Sequence, residues 1–188
     1  MANTGMLCLA IGAAMLATAC AASHASRLAR SEFVPVPNIH VAYPLEPCVA
    51  TMLSRSSTFR QTYYSIANRP RVRVNVLLDS RRTVRTRAET EIRTFADGER
   101  VAEVRLHSTH DVVELIAHEL EHVREQLEGT NYLLLSVART MDVHRVGEGY
   151  ETRRGIETGL AVAVEVGSSA ERKCRGSLQN AGLMTFRF

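Results

Sequence analysis

The segment from Thr109 to Glu128 constrains the fold more than any other part of the chain, because it predicts a helix with two chemically different faces. At about 100° per residue, apolar side chains fall on one side, which is suited to packing on a sheet. The opposite side carries His118 and His122 one turn apart, a spacing at which two imidazoles can bind one metal ion. The apolar side consists of Val112, Val113, Ile116, Leu120, Val123 and Leu127, and the stripe that carries the histidines consists of Asp111, Leu115, His118, His122 and Glu125.

Flanking residues mark both ends of this helix. Ser108 with Asp111 three residues later has the spacing of a capping box, which places the helix start at about Thr109. Gly129 predicts the end, since glycine commonly follows the last helical turn. We therefore expect one uninterrupted helix between these two signals.

Three segments upstream of this helix alternate in polarity as strands do. Asp97-Gly98, between the second and the third segment, is a strong hairpin signal and predicts that these two strands pair antiparallel. The three segments are Arg71–Asp79, Thr83–Phe95 and Glu99–His107.

Other parts of the chain predict helices and an extended arm. Four of the five prolines lie before Cys48, so this stretch is expected to be extended. The fold class is therefore α+β: a short antiparallel sheet packed on the Thr109–Glu128 helix, followed by a C-terminal helical region. The further predicted helices cover Pro47–Ala67, Tyr132–His144 and Gly149–Val166, with a short final helix that contains Cys174.

The N-terminus predicts export. Leu7–Ala22 is a run of apolar or small residues, too short for a comfortable membrane span, and small residues at Ser23 and Ala25 fit signal-peptide cleavage after Ala25. We expect a signal peptide over residues 1–25, a single domain over 26–188 with no membrane span, and a periplasmic or secreted location. Lipoprotein anchoring at Cys20 is the alternative.

The cysteines and the charges indicate which redox environment and which classes of binding partner to expect. Cleavage would leave Cys48 and Cys174, which an exported protein would join in a disulfide; two buried free thiols are the alternative. The net charge is +3, Lys173 is the only lysine, and no dense basic cluster is interleaved with aromatic residues. Nucleic acid is therefore not an expected partner.

The sequence His118-Glu119-Leu120-Glu121-His122 has the form H-E-x-x-H. Glu119 lies beside the face that carries the histidines, where a carboxylate could accept a proton from a water molecule. The competing interpretation is a charged helix surface without a metal. Glu125 on the same face could hydrogen bond to an imidazole or could simply be solvated.

This motif, with its capped helix and upstream hairpin, resembles the zincins, and among them the gluzincin-type zinc metallopeptidases. The resemblance covers about Arg71 to Val166 and includes the weaker stretch Tyr150–Gly155. It implies a zincin-like fold, a bound Zn²⁺ and a downstream glutamate as the third protein ligand. The glycine and third histidine that follow the motif at short spacing in metzincins are missing here.

Glu151 is the preferred third ligand. If a helix covers this region, Gly155 lies one turn after Glu151 on the same side, and Gly159 lies nearby. Glycine inside a helix is destabilising, so the pair suggests that another helix, the one carrying His118, comes close. The alternatives are Glu148, which is expected to precede the helix, Glu157, which points toward the apolar side, and His144.

The predicted function is zinc-dependent hydrolysis of a peptide or protein substrate, with metal ligands His118, His122 and Glu151 and with Glu119 as general base. The strand Glu99–His107 could be the edge to which a substrate adds, a partner could complete the cleft, and Tyr150 or His144 could stabilise an oxyanion. The alternative is an exported, non-catalytic zinc-binding or structural protein that uses the same residues. A third possibility is an interaction module without a metal.

Overall fold

The computed structural model describes residues 36–79, 86–138, 142–147 and 149–184, with side chains as far as residue 179. The predicted signal peptide with Cys8 and Cys20 lies outside the described residues, and so does Glu148. Within these ranges the chain forms an α+β arrangement, as the sequence predicted.

The main sheet has four strands in the order β1-β2-β4-β3. The Asp97-Gly98 turn joins β3 and β4 as the predicted antiparallel hairpin, but β1 and β2 add in parallel, so the sheet is mixed rather than antiparallel throughout. The predicted edge strand is wrong for the same reason: β4 lies inside the sheet, and β3 is one of its two edges in the described part of the chain. Every second residue of β4 is fully buried, whereas the polar β3 tolerates an edge position. The strands are β1 Ile39–Val41, β2 Val72–Leu78, β3 Ala88–Thr94 and β4 Arg100–Leu106.

The predicted N-terminal helix is two helices, α1 (Glu46–Arg55) and α2 (Ser57–Ala67). They separate at Ser56, which is extended and whose side chain accepts a hydrogen bond from the backbone N–H of Phe59 at 2.9 Å. A serine that caps a new helix start explains the break. The arm before them contains β1 and a 3-10 turn at Tyr43–Leu45.

The histidine-bearing helix α3 spans Val112–Leu127 and ends before Gly129, as predicted. The predicted capping box is wrong. Asp111 adopts a left-handed conformation (φ 54°) and makes no side-chain cap. Its carboxylate instead accepts a hydrogen bond from Arg87 at 2.9 Å, so contact with a distant segment replaces the local cap.

The C-terminal part differs most from the expectation. The predicted helix Tyr132–His144 and the first residues of the next one are replaced by a short helix and a two-stranded antiparallel hairpin. The β-branched and aromatic residues of this hairpin favour strands, and Gly147 at φ 60° supplies the left-handed residue at its turn. The elements are α4 (Tyr132–Val137), β5 (Val143–Val146), β6 (Gly149–Thr152), α5 (Arg153–Val166) and α6 (Ser168–Met184).

The core lies between one face of the main sheet and the helices. Val74 and Val76 of β2 and Val104 of β4 are fully buried there, as is Ile116 of α3. Residues on the other face of the sheet pair as ions; Arg105, for example, contacts glutamates on β3 and β4. No helix within the described ranges is long and apolar enough to cross a membrane.

Helices α3 and α5 approach each other closely at Gly155 and Gly159. A Cβ atom on Gly159 would lie 3.0 Å from the carbonyl oxygen of Glu114 and 3.3 Å from Cβ of His118. On Gly155 it would lie 3.1 Å from Cε1 of His122. The expectation that these glycines mark a close helix neighbour is confirmed.

An ion-pair cluster joins the same two helices. Glu121, in the middle of the motif, is 1% exposed. Its carboxylate lies 2.5 Å from Nε of Arg154 on α5 and accepts a hydrogen bond from Thr62 of α2 at 2.6 Å. Arg154 also pairs with Glu128 at 2.8 Å. The second glutamate of the motif therefore has a structural role, since an unpaired buried carboxylate would be costly.

Gly159→Ala is expected to lower the free energy of unfolding by about 1 to 3 kcal/mol, because the added methyl group meets backbone of the neighbouring helix. Gly176→Ala is the matched control. It lies inside α6 with open space around its Cα, so alanine should stabilise by about 0.5 to 1 kcal/mol. Urea unfolding of both variants measures the difference, and equal effects would contradict the close approach.

Candidate metal centre

Three side chains converge on one point, two of them from α3 and one from β6. Nε2 of His118 lies 2.9 Å from Nε2 of His122 and 2.9 Å from Oε2 of Glu151. The same oxygen lies 3.8 Å from Nε2 of His122. One ligand atom from each residue thus lies within 4.8 Å of the others.

Two different local structures bring these groups together. His118 and His122 are neighbours because they lie one turn apart on α3. Glu151 comes from β6, not from a helix, so the helical geometry used to prefer it does not apply. The hairpin positions Glu151. Its strand β6 leads directly into α5, and Gly155 and Gly159 allow α5 to pack closely on α3.

The other candidates for the third ligand lie elsewhere. Glu157 is 68% exposed and lies 3.7 Å from Arg153. His144 is exposed on β5, directly opposite Glu151 in the strand register, so its side chain projects from the same face of the hairpin. It does not join the converging group, and Glu148 lies outside the described residues. Among the residues that the structure describes, Glu151 is thus the carboxylate that meets both histidines.

The three groups fit a metal ion. Two ligands on a tetrahedral ion with bonds of about 2.0 to 2.1 Å are roughly 3.3 Å apart, and the three separations bracket that value. Two imidazoles and a carboxylate, with the buried carboxylates of Glu119 and Glu125 beside them, also carry an excess of negative charge that a cation would balance. His118, His122 and Glu151 can therefore hold a metal ion.

Burial argues against a merely solvated charged surface. Glu119 and His122 are each 5% exposed, and Glu125 has the same exposure. Charged and polar groups are rarely so buried without partners. From Leu115 to Glu125, the stripe of α3 that carries the histidines is buried or half-buried, whereas Asp111 at its start is exposed.

Glu125 orients His122. One oxygen of this carboxylate, Oε2, lies 3.2 Å from Nδ1 of His122 and accepts hydrogen bonds from Tyr132 at 3.1 Å and Thr152 at 2.9 Å. Burial opposes ionisation of Glu125, but the hydrogen bonds with these three groups keep its pKa below the usual value. When Nδ1–H of His122 is held by the carboxylate, Nε2 is left to act as a ligand.

Neighbouring side chains in the site shift the pKa values of His122 and Glu151. Burial alone would lower the pKa of His122, but contacts with Glu125 and Glu151 raise it to about 9. The hydrogen bond with His118, followed by the contact with His122, lowers the pKa of Glu151 well below its usual range. Without a metal the cluster thus retains a proton, and metal binding would displace it.

Glu119 lies next to this cluster with one oxygen already engaged. Its Oε2 accepts a hydrogen bond from the hydroxyl of Thr90 on β3 at 2.7 Å. Burial raises the pKa of Glu119, while the neighbouring histidines and Thr90 oppose that rise. Sequence reasoning missed Thr90, Tyr132 and Thr152, because each reaches the site through tertiary packing and carries no local signal.

The remaining histidines and aromatic residues have other surroundings. Nδ1 of His107 lies 3.2 Å from the carbonyl oxygen of Asp79, and His40 is exposed on β1. Tyr150 is half-buried, and its ring packs on that of Tyr132, with 6.0 Å between centroids. Tyr150 and His144 both belong to the hairpin that carries Glu151.

Comparison of the chain with protein-family models, with curated proteins and with solved structures found no significant match. The interpretation of the site therefore depends on its own geometry.

Glu151→Ala is expected to weaken metal binding by about tenfold or more, because it removes one of the three groups that could hold the ion. Glu157→Ala is the matched control, since this glutamate of the same region is exposed and away from the histidines. Elemental mass spectrometry after dialysis against zinc should find about one ion per chain in the control and much less in the Glu151 variant. Equal metal content in the two variants would exclude Glu151 as a ligand.

Proposed function

We propose that the protein is a zinc-dependent peptidase with a zincin-like arrangement of its site. The observation that carries this proposal is a buried glutamate, Glu119, next to three converging ligand groups. Two neutral donors and one carboxylate match the histidine and glutamate ligands used by catalytic zinc. Additional support comes from the H-E-x-x-H helix packed against a sheet edge.

Zinc is the metal that these ligands suit best, because imidazole nitrogen and carboxylate oxygen at near-tetrahedral separations are typical of zinc sites. When bound, zinc would supply Lewis-acid activation of a water molecule and of a peptide carbonyl group. His118, His122 and Glu151 would hold it, and Glu125 would keep His122 in the required orientation.

Glu119 would act as the general base. Thr90 holds Oε2, which leaves Oε1 to accept a proton from the attacking water molecule. The raised pKa that burial produces suits this role, since a base must bind the proton and release it again. The protonated carboxyl group would then donate the proton to the leaving amine.

The substrate would add to β3 as an extended strand. In the antiparallel β3–β4 pair, the N–H groups of His107 and Phe95 bond to the carbonyl oxygens of Arg87 and Glu99. Hydrogen-bonded and non-hydrogen-bonded residue pairs alternate along such a ladder, and Thr90 belongs to a non-hydrogen-bonded pair. The backbone N–H and C=O groups of Thr90, and of every second residue of β3 counted from it, therefore point away from β4 to the outer edge. Within the described residues no strand pairs with that edge. A peptide bound there would lie beside Glu119.

Export remains part of the proposal. A signal peptide over residues 1–25 would deliver the domain 26–188 to the periplasm or to the exterior. The substrate would then be an extracellular or periplasmic peptide or protein, and a partner could complete the cleft.

Glu119→Gln is expected to retain the metal and to lower peptide cleavage by about 10²- to 10⁴-fold, because the amide cannot accept the proton. Cleavage of a mixed peptide library by the zinc-loaded chain, followed by mass spectrometry, measures this loss. Glu157→Gln serves as the control, since this exposed side chain does not belong to the candidate metal centre. A glutamine variant with full activity would rule out Glu119 as the base.

Thr90→Val should reduce kcat/KM by about 10- to 100-fold, since a hydrogen bond to a charged group contributes roughly 1.5 to 3 kcal/mol. Thr90→Ser keeps the hydroxyl group and should restore most of the activity. Both variants should bind zinc as the wild type does, because Thr90 does not contact the three ligand groups. A serine variant as impaired as the valine variant would show that Thr90 acts only through packing.

A non-catalytic zinc site is the rival, since it would use the same residues. Structural zinc usually has four protein ligands, whereas three converge among the described residues. Stoichiometric zinc in a chain that cleaves no peptide of the library would favour the rival.

A further inference from the structure

Two thiols meet in the core, away from the candidate metal centre. Cys48 of α1 and Cys174 of α6 are both free, with 0% and 4% exposure. The two thiols belong to the same buried cluster, on helices that contact each other, and each thiol is the main influence on the pKa of the other. Neither side chain takes part in the proposed reaction.

The pair lies where the last described helix meets the first. Ala170, Cys174 and Leu178 recur every four residues and form the buried stripe of α6. This stripe packs against α1, α3 and α5. Cys48 is next to Val49 on the buried side of α1. A bond between the sulfurs would therefore hold α6 in the position that covers the back of the metal-centre helices.

We propose that Cys48 and Cys174 form an oxidation site, at which a small disulfide oxidant converts the two thiols to one intramolecular disulfide that fixes α6 to α1. The proposal is independent of the peptidase proposal, because it rests on the sulfur pair and the helix packing. It also gives a structural basis for the disulfide expected from the cysteine count of an exported chain.

The reaction has two thiol–disulfide exchange steps. The Cys174 thiolate attacks one sulfur of the oxidant, forming a mixed disulfide and releasing the first thiol of the oxidant. The Cys48 thiolate then attacks Cys174, forming the internal bond and releasing the second thiol. The protein loses two protons and two electrons, and the oxidant gains them. The interaction between the two thiols favours Cys174 as the first nucleophile, because it lowers the pKa of Cys174, whereas the same interaction, together with burial, raises the pKa of Cys48.

The position of the two sulfurs determines when the bond can form and what it does. Since both are buried, the oxidant must reach them before α6 docks or during its transient opening. The bond would close a loop of about 125 residues that contains β2, β3, β4 and the candidate metal centre, and closure of so long a loop restricts the unfolded chain strongly.

The test uses the full chain, incubated with oxidised glutathione or with a reductant, then denatured, alkylated with iodoacetamide and mapped by mass spectrometry. Oxidation is expected to give one peptide that links Cys48 to Cys174, about 2 Da lighter than its two reduced parts, with neither residue alkylated. Alkylation of both residues, glutathione on either one, or a link to Cys8 or Cys20 would overturn the proposal.

Thermal unfolding tests the effect on α6. Oxidation should raise Tm by roughly 5 to 15 °C in the wild type. Cys48→Ala and Cys174→Ala cannot form the bond, so the oxidant should leave the Tm of each unchanged, whatever the Tm of the variant itself. A linked wild type with an unchanged Tm would contradict the fixation of α6, and an oxidant-dependent rise in both variants would show that the stabilisation has another source.

Discussion

The close packing of α5 on α3 is the constraint on which the rest of the structure depends. Without side chains at Gly155 and Gly159, backbone can approach the histidine-bearing helix to within contact of its imidazoles. That approach sets the position of β6, which leads into α5, and so sets the position of Glu151. Arg154 reinforces the same contact by pairing with the buried Glu121. A single helix–helix contact thus serves both stability and the assembly of the candidate metal centre.

The chemistry of the site follows from buried carboxylates with different partners. Glu125 is surrounded by three hydrogen-bond donors, so it stays ionised and orients an imidazole. Glu119 has one hydroxyl partner and a raised pKa, which suits proton transfer. Glu151 is directed at the histidines themselves. One residue type thus takes three roles because its surroundings differ.

Much of the local structure could be predicted, since its signals lie within short segments. The β3–β4 hairpin follows from Asp97-Gly98, and the end of α3 from Gly129. The prediction was poorer wherever a distant segment decided the outcome. Asp111 binds Arg87 instead of capping its helix, and the β5–β6 hairpin replaces a predicted helix because strand pairing outweighs weak helical spacing.

The sequence by itself determined the histidine spacing, the adjacent Glu119 and the presence of two faces on α3, because helical periodicity places residues relative to one another within a single element. Only the tertiary structure decided that β3 rather than β4 forms the sheet edge, that Glu151 meets the histidines from a strand, and that Thr90 holds Glu119. These relations join elements far apart in the chain, and they depend on which surfaces pack together. Periodicity within one segment carries no information about that choice.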